Sequence, residues 1–266
     1  MFDKSIFQLC NTITEAEADK LDLSKYICQE KKDGTRVIAI IQDNNVAMIN
    51  RRGKIVNYHF TDIENELKTL DNCILDGEIC SYDDKFETLQ KVALTQNTFK
   101  IKELQKQIPC TFWIFDILKI ENNDLMLKPL RERVRELYNF FDGKELQRVK
   151  ILPFEEYKES LFKAKERKGE GIIIKLLDGI YENRRSNNFL KLKFFCEQEM
   201  IIISAIQNPA GYRCEDKDGN SVQVSGRQSL EVIRQLNEKG QVNIIVQYLT
   251  KSKEGRMRFP SFRQIK

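Results

Sequence analysis

Residues 30–42 read Glu30-Lys31-Lys32-Asp33-Gly34-Thr35-Arg36-Val37-Ile38-Ala39-Ile40-Ile41-Gln42, a charged turn built on one glycine that runs directly into an apolar, β-rich stretch. The run from Arg36 has the composition of a buried strand, and Asp43-Asn44-Asn45 after it reverses the chain into a second one, NVAMIN. Working outward, the segment from Asp62 to Leu70 is amphipathic at helical spacing, and CILDGEIC after it reads as a buried strand. FETLQKVAL and KIKELQKQ read as short helices leading into another strand, CTFWIFDIL. Pro129 opens a helix, a second starts at Tyr157, and the strands GIIIKLL and FLKLKFF complete this region. From about Glu197 the pattern becomes short alternating strands (EMIIISAI, SVQVSG, QVNIIVQYL) with one helix near SLEVIRQLNEK. Five short strands and one helix in about 70 residues fit a small barrel of the OB type. The expected division is therefore residues 1–195 and 196–266.

Composition bounds the chemistry. The 266 residues, 41% of them hydrophobic, suffice for a large domain plus a smaller one. Charged residues make up 32%, yet the net charge is only +4, so charge alone does not select an anionic partner. The seven cysteines, at 10, 28, 73, 80, 110, 196 and 214, form no C-x-x-C pair, and His59 is the one histidine. That argues against a Cys/His zinc site and against a Ser-His-Asp hydrolase, leaving Lys, Asp, Glu, Tyr and Cys for catalysis. An odd number of cysteines, several inside apolar runs, suits a reducing compartment. With no signal-peptide pattern and no apolar run of about 18 residues, the expectation is a soluble, cytoplasmic monomer with no membrane contact.

Six short stretches carry chemistry. In Lys31-Lys32-Asp33-Gly34-Thr35-Arg36 the glycine is expected to let the backbone turn tightly behind Lys31, with Asp33 and Arg36 beside it as hydrogen-bond acceptor and donor. A lysine nucleophile must lose its proton from an ordinary pKa of about 10.4, and neighbouring cations (Lys32, Arg36) with partial burial are expected to favour the neutral amine. Asn50-Arg51-Arg52-Gly53 by itself is a surface hairpin turn. In Leu75-Asp76-Gly77-Glu78 a carboxylate on a buried strand needs a metal, an amine or a hydroxyl. Phe112–Leu118 puts aromatics in a core strand, and Glu170-Gly171-Ile172-Ile173-Ile174-Lys175 places charges at both ends of an apolar one. Period-two alternation in Phe189–Phe194 sets Lys191 and Lys193 on one face, some 7 Å apart, opposite Leu190, Leu192 and Phe194.

In order and spacing these stretches resemble the motifs of the covalent nucleotidyltransferases: ATP-dependent DNA ligases, RNA ligases and mRNA capping enzymes. The resemblance implies an α+β fold, an ATP-grasp-like nucleotidyltransferase domain of antiparallel sheets with flanking helices, followed by an OB barrel. It implies that Lys31 is the nucleophile, oriented by Asp33, and that Arg36 contacts the ribose and the 3′ side of a nick. It further implies that Gln29, Glu30 and Arg51 touch the nucleotide, that Phe115 stacks on adenine, and that Glu78 and Glu170 hold Mg²⁺ or Mn²⁺. Lys175 is then expected at the base or the phosphates, and Lys191 and Lys193 on the α-phosphate.

Within that group the chain resembles DNA ligases rather than capping guanylyltransferases. Asp84–Gln90 matches D-x-F-x-x-L-Q, Pro129-Leu130-Arg131-Glu132-Arg133 matches P-L-x-x-R, and Arg258-Phe259-Pro260-Ser261-Phe262 matches R-F-P-x-F. Two departures stand out: the family's R-x-D-K element is missing after Phe262, where Arg258, Arg263 or Lys266 are the available substitutes, and no large N-terminal DNA-binding domain precedes the motifs. The implied reaction seals 3′-hydroxyl/5′-phosphate nicks in duplex DNA through lysyl-AMP, using ATP and a divalent cation, with the OB domain closing over the site. DNA phosphates are expected at Arg52, Arg184, Arg185, Arg227, Lys251, Lys253, Arg256 and Arg258.

Overall fold

The computed structural model describes residues 6–140, 146–167, 169–251 and 255–266, apart from the side chain of Thr250. It separates into two units, Met1–Leu192 and Lys193–Lys266. In chain order the first carries strands β1 (Leu9–Thr12), β2 (Tyr26–Glu30), β3 (Thr35–Gln42), β4 (Asn45–Asn50), β5 (Cys73–Ser81), β6 (Cys110–Ile120), β7 (Asn123–Asp124), β8 (Leu146–Arg148), β9 (Ile151–Pro153), β10 (Gly171–Leu176) and β11 (Arg185–Lys193). Its helices are α1 (Glu15–Ala18), α2 (Thr61–Leu67), α3 (Phe86–Ala93), α4 (Thr98–Gln107), α5 (Leu130–Phe140) and α6 (Tyr157–Glu166).

These strands make two sheets, one ordered β4-β3-β5-β6-β7 with β8 also on β6, the other ordered β1-β11-β10-β2-β9. The first sheet explains why residues 37–41 are apolar without alternation. Val37, Ala39 and Ile41 enter the main core with Leu75, Ile114 and the buried sides of α2 and α3. Ile38 packs on the opposite face with Phe7, Leu118, Tyr181 and Phe189. A strand covered on both faces reads as a continuous hydrophobic run. The helices follow ordinary local rules: Leu89 and Val92 form the buried stripe of α3, and the Asn97 side chain caps α4 by accepting from Lys100 N at 3.0 Å. Besides the two-residue β7, four strands of this unit fall outside the sequence reading: β1, β2, β8 and β9. All four are five residues or shorter and pair with partners distant in the chain, so local pattern carries little of their signal.

The second unit is a five-stranded antiparallel sheet, β14-β13-β12-β15-β18, from β12 (Cys196–Asn208), β13 (Gly211–Asp216), β14 (Ser221–Val224), β15 (Val242–Tyr248) and β18 (Ser261–Ile265). A two-stranded ribbon, β16 (Thr250–Lys251) with β17 (Met257–Arg258), lies between β15 and β18 in the chain. Helix α7 (Arg227–Lys239) connects β14 to β15, and β14 also touches β18, so the sheet curls on itself around Met200, Ile202, Cys214, Val222 and Ile244. This is the OB arrangement of strands and helix.

Candidate active site

The glycine of the Lys31 turn is needed for a reason other than turning. A Cβ on Gly34 would lie 2.1 Å from the Ile79 carbonyl oxygen and 2.9 Å from Cys80 Sγ. Gly77 is equally confined, with the Phe112 ring 2.5 Å and the Trp113 oxygen 2.6 Å from its virtual Cβ. The two motif glycines therefore let the Lys31 loop and β6 close on β5 from either side. Gly34 lacks the left-handed backbone that the expected tight turn would require.

That packing delivers Lys31 to Glu170. Lys31 N donates to the Gly171 oxygen at 3.0 Å as β2 pairs with β10, and Lys31 Nζ donates to Glu170 Oε2 in a short ion pair. Glu78 on β5 lies within electrostatic reach of both. The expectation that cations depress the lysine pKa is corrected here. Burial does push Lys31 down, but Glu170 and Glu78 together outweigh it and hold the ammonium charged. Lys32 points elsewhere, to Glu30 at 3.2 Å and over the Trp113 ring at 4.0 Å. Burial raises the Glu78 carboxyl to about 7, with Lys31 and Arg36 pulling against it.

Arg36 is held by the protein on three of its nitrogens. Its Nε and Nη2 bind Asp76 at 3.0 and 2.6 Å and its Nη1 donates to the Gln8 oxygen at 2.7 Å. Asp76, fully buried, also accepts from Tyr181 at 2.7 Å. This network ties β1, β3 and β5 into one floor, with the guanidinium 5.3 Å from the centre of the Phe115 ring. A second buried pair supports Phe115 from behind. Arg133 and Asp116 are both 0% exposed at the side chain and make a bidentate pair at 2.8 and 2.9 Å. Two motif fragments, P-L-x-x-R and F-D-x-L, thus meet as one structural unit.

Lys175 lies against Phe115. It is 2% exposed and donates to the Phe115 oxygen at 3.1 Å. Gln29 is equally buried; its Nε2 meets the Val149 oxygen at 3.4 Å, and its Oε1 has no hydrogen-bond partner among the described residues. The site brings together Lys31, Glu170, Glu78, Arg36, Phe115 and Lys175. Asp33 lies in the loop after β2, and Glu30 ends that strand.

Arg51 and Arg52 are exposed in the turn closed by Gly53 N to the Asn50 oxygen at 2.8 Å. Lys191 lies near the end of β11 and Lys193 closes it; Phe194 falls after the strand rather than on its apolar face. Arg184 Nε pairs with Glu182 at 2.9 Å and Arg185 binds the Cys10 oxygen. In the second unit Arg227 opens α7, Lys251 sits over Tyr248 at 5.6 Å, Arg256 is exposed and Arg258 is 5.6 Å from the Phe259 ring. Lys253 lies outside the described residues. Sequence reasoning passed over Asp76, Arg133, Tyr181 and Gln8. For Asp76 a signal existed, a second acid inside an apolar strand, whereas nothing local marks Tyr181 or Gln8.

A sequence profile described as the ATP dependent DNA ligase domain matches residues 7–193. A prophage-derived DNA ligase-like protein of Bacillus subtilis is 24% identical over 259 residues, covering 89% of this chain and 91% of that one. The DNA ligase of Nanoarchaeum equitans is 27% identical over 202 residues, covering 70% of this chain but 35% of its own length, so the chain matches about a third of that relative. Among solved structures, a Lig E DNA ligase superposes with a TM-score of 0.72 at 18% identity, covering 97% of this chain and 98% of that one. A mycobacterial DNA ligase D, solved with ATP, superposes at 0.58 with 19% identity, covering 97% and 94%. Both likenesses concern the fold.

Proposed function

The chain belongs to the family of ATP-dependent DNA ligases, and from that premise we propose that Lys31 carries the adenylate while nicks in duplex DNA are sealed. The observation that carries the assignment is the Lys31–Glu170 pair within electrostatic reach of Glu78. Lys31 Nζ attacks the α-phosphorus of ATP; an N–P bond forms, the bond to the β-phosphate oxygen breaks and pyrophosphate leaves. Glu170, already hydrogen-bonded to the ammonium, is placed to accept its proton. The AMP then passes to the 5′-phosphate of the nick, and the 3′-hydroxyl displaces it to form the phosphodiester.

The donor set fits a divalent cation. Glu78 and Glu170 are two carboxylates flanking one amine, and the described residues hold no cluster of three or more metal-ligand side chains. That suits Mg²⁺, which keeps most of its waters and uses one or two carboxylates plus substrate phosphates. Bound there, it would neutralise charge on the phosphates. The same two carboxylates hold Lys31 charged in the free protein, so engaging them elsewhere releases the amine for attack.

Gln29 supports ATP over GTP. Its Nε2 is occupied by Val149, leaving Oε1 as a buried acceptor that an amino group satisfies and a carbonyl does not. Adenine carries an amino group at its sixth position where guanine carries oxygen. Lys191 and Lys193 are assigned to phosphate, Arg51 to the nucleotide, and the basic residues named above, Lys253 included, to the DNA backbone.

The test uses ATP and GTP labelled at the α-phosphate, followed by nicked DNA and nicked RNA duplexes. Label from ATP only, discharged by nicked DNA, is the expected result. Lys31→Ala should lose the label yet still seal nicks that carry AMP beforehand. Labelling of that variant would overturn the nucleophile assignment.

A further inference from the structure

The reaction above leaves Lys175 unused, although its amine is buried beside Phe115. Its Nζ donates to the Phe115 oxygen at 3.1 Å and sits 4.6 Å from the ring centres of both Phe115 and Phe189. Among the described residues it makes no ion pair. Withdrawing an ammonium from water without a carboxylate partner is costly. The compensation lies in two ring faces and one carbonyl, all belonging to aromatic residues at the base pocket. Farther off, Asp116 on β6, Asp76 on β5 and Cys10 on β1 favour the charged amine, while Arg133 on α5 opposes it; burial dominates and brings the amine to about 8.

We propose that Lys175 is a positioning residue for the nucleobase platform: its amine ties down the Phe115 backbone and spaces the Phe115 ring from Phe189, setting the ring where adenine stacks. This rests on the assignment of Phe115 as the base platform. An amine aimed at the phosphates would weaken every triphosphate equally when removed, whereas one acting through Phe115 affects only ligands that carry a base.

The experiment measures KM and kcat for self-adenylation with ATP, together with the inhibition constant of inorganic tripolyphosphate as a base-free competitor. Lys175→Met is expected to raise KM for ATP about tenfold, with kcat at saturation within about twofold and tripolyphosphate binding unchanged. Lys175→Arg should recover most of the loss. In a Phe115→Ala background Lys175→Met should have no further effect. Equal weakening of tripolyphosphate, or a full effect of Lys175→Met without the Phe115 ring, overturns the proposal alone. Phe115→Ala that leaves KM for ATP unchanged removes the platform reading and the proposal with it.

The wild-type protein supplies a readout that no folding defect can mimic. KM for ATP should climb as pH passes about 8 and should do so less in Lys175→Arg. A KM that stays flat across that range contradicts the proposal.

Discussion

Arg133–Asp116 and Lys31–Glu170 are both cation–carboxylate pairs withdrawn from solvent in the same unit, yet they are built for opposite ends. Arg133 and Asp116 are fully covered, and Arg133 spends its remaining donors on the Lys128 and Gly179 oxygens at 2.6 and 3.2 Å. Lys31 keeps 20% of its side chain exposed and makes one side-chain hydrogen bond, to Glu170. The first pair is fully covered and can only hold; the second is partly open to solvent. A covered pair makes its contribution through stability, whereas an open one holds a proton and a charge that substrate can displace.

Substitutions separate the two roles. The largest effect is expected at the open pair: Lys31→Ala should cut self-adenylation by at least about 10³-fold. The same change should move urea-unfolding stability by about 1 kcal/mol or less, since Glu170 can take up a proton. Arg133→Met should reverse this pattern. It leaves Asp116 buried and unpaired, costing roughly 3–5 kcal/mol in urea unfolding, whereas Arg133→Met with Asp116→Leu should recover much of that. An Arg133→Met protein of wild-type stability would erase the distinction.

Gly34→Ala tests how finely the open pair is placed. The new methyl must move the Lys31 loop off the Ile79 oxygen, 2.1 Å away. A displacement near 1 Å should lower the adenylation rate about 10²-fold, read by single-turnover labelling.

The smallest effect is a pH dependence. Glu78 ionises near 7 in the folded protein against an ordinary 4.5, so the folded state binds more protons than the unfolded one between those values. Stability from this group is therefore full below 4.5 and is lost as pH rises through 7. Thermal melts of wild type and Glu78→Gln from pH 5 to 8 should diverge in that sense, the variant gaining on wild type as pH rises. Parallel curves would mean that Glu78 is not held against its charge.

The open pair was legible in the sequence and the closed one was only half so. Lys31, Glu78 and Glu170 sit in short motifs whose charges interrupt apolar strands, and a charge in such a setting announces chemistry. Arg133 and Asp116 were both inside quoted stretches, but a helix surface arginine and a strand aspartate give no local sign that they meet across seventeen residues. Tyr181 joins Gln8, Arg36 and Asp76 through contacts more than a hundred residues apart in the chain, and Gln8 reaches Arg36 across 28 residues, beyond any periodicity. For Lys175 the sequence left base and phosphates open, and only the packing of Phe115 and Phe189 around its amine shows which aromatic neighbours it has. In the second unit, strand alternation and the glycine-marked turns made the barrel readable, while its basic residues carry no pattern that separates a DNA contact from ordinary surface.

The central claim is that one amine among 44 Lys and Arg side chains takes up AMP. Protein incubated with ATP and Mg²⁺, digested and mapped by mass spectrometry, should carry the nucleotide on the peptide containing Lys31 and nowhere else. AMP found on a different residue, or no AMP on a protein that still seals nicked DNA, would contradict the account.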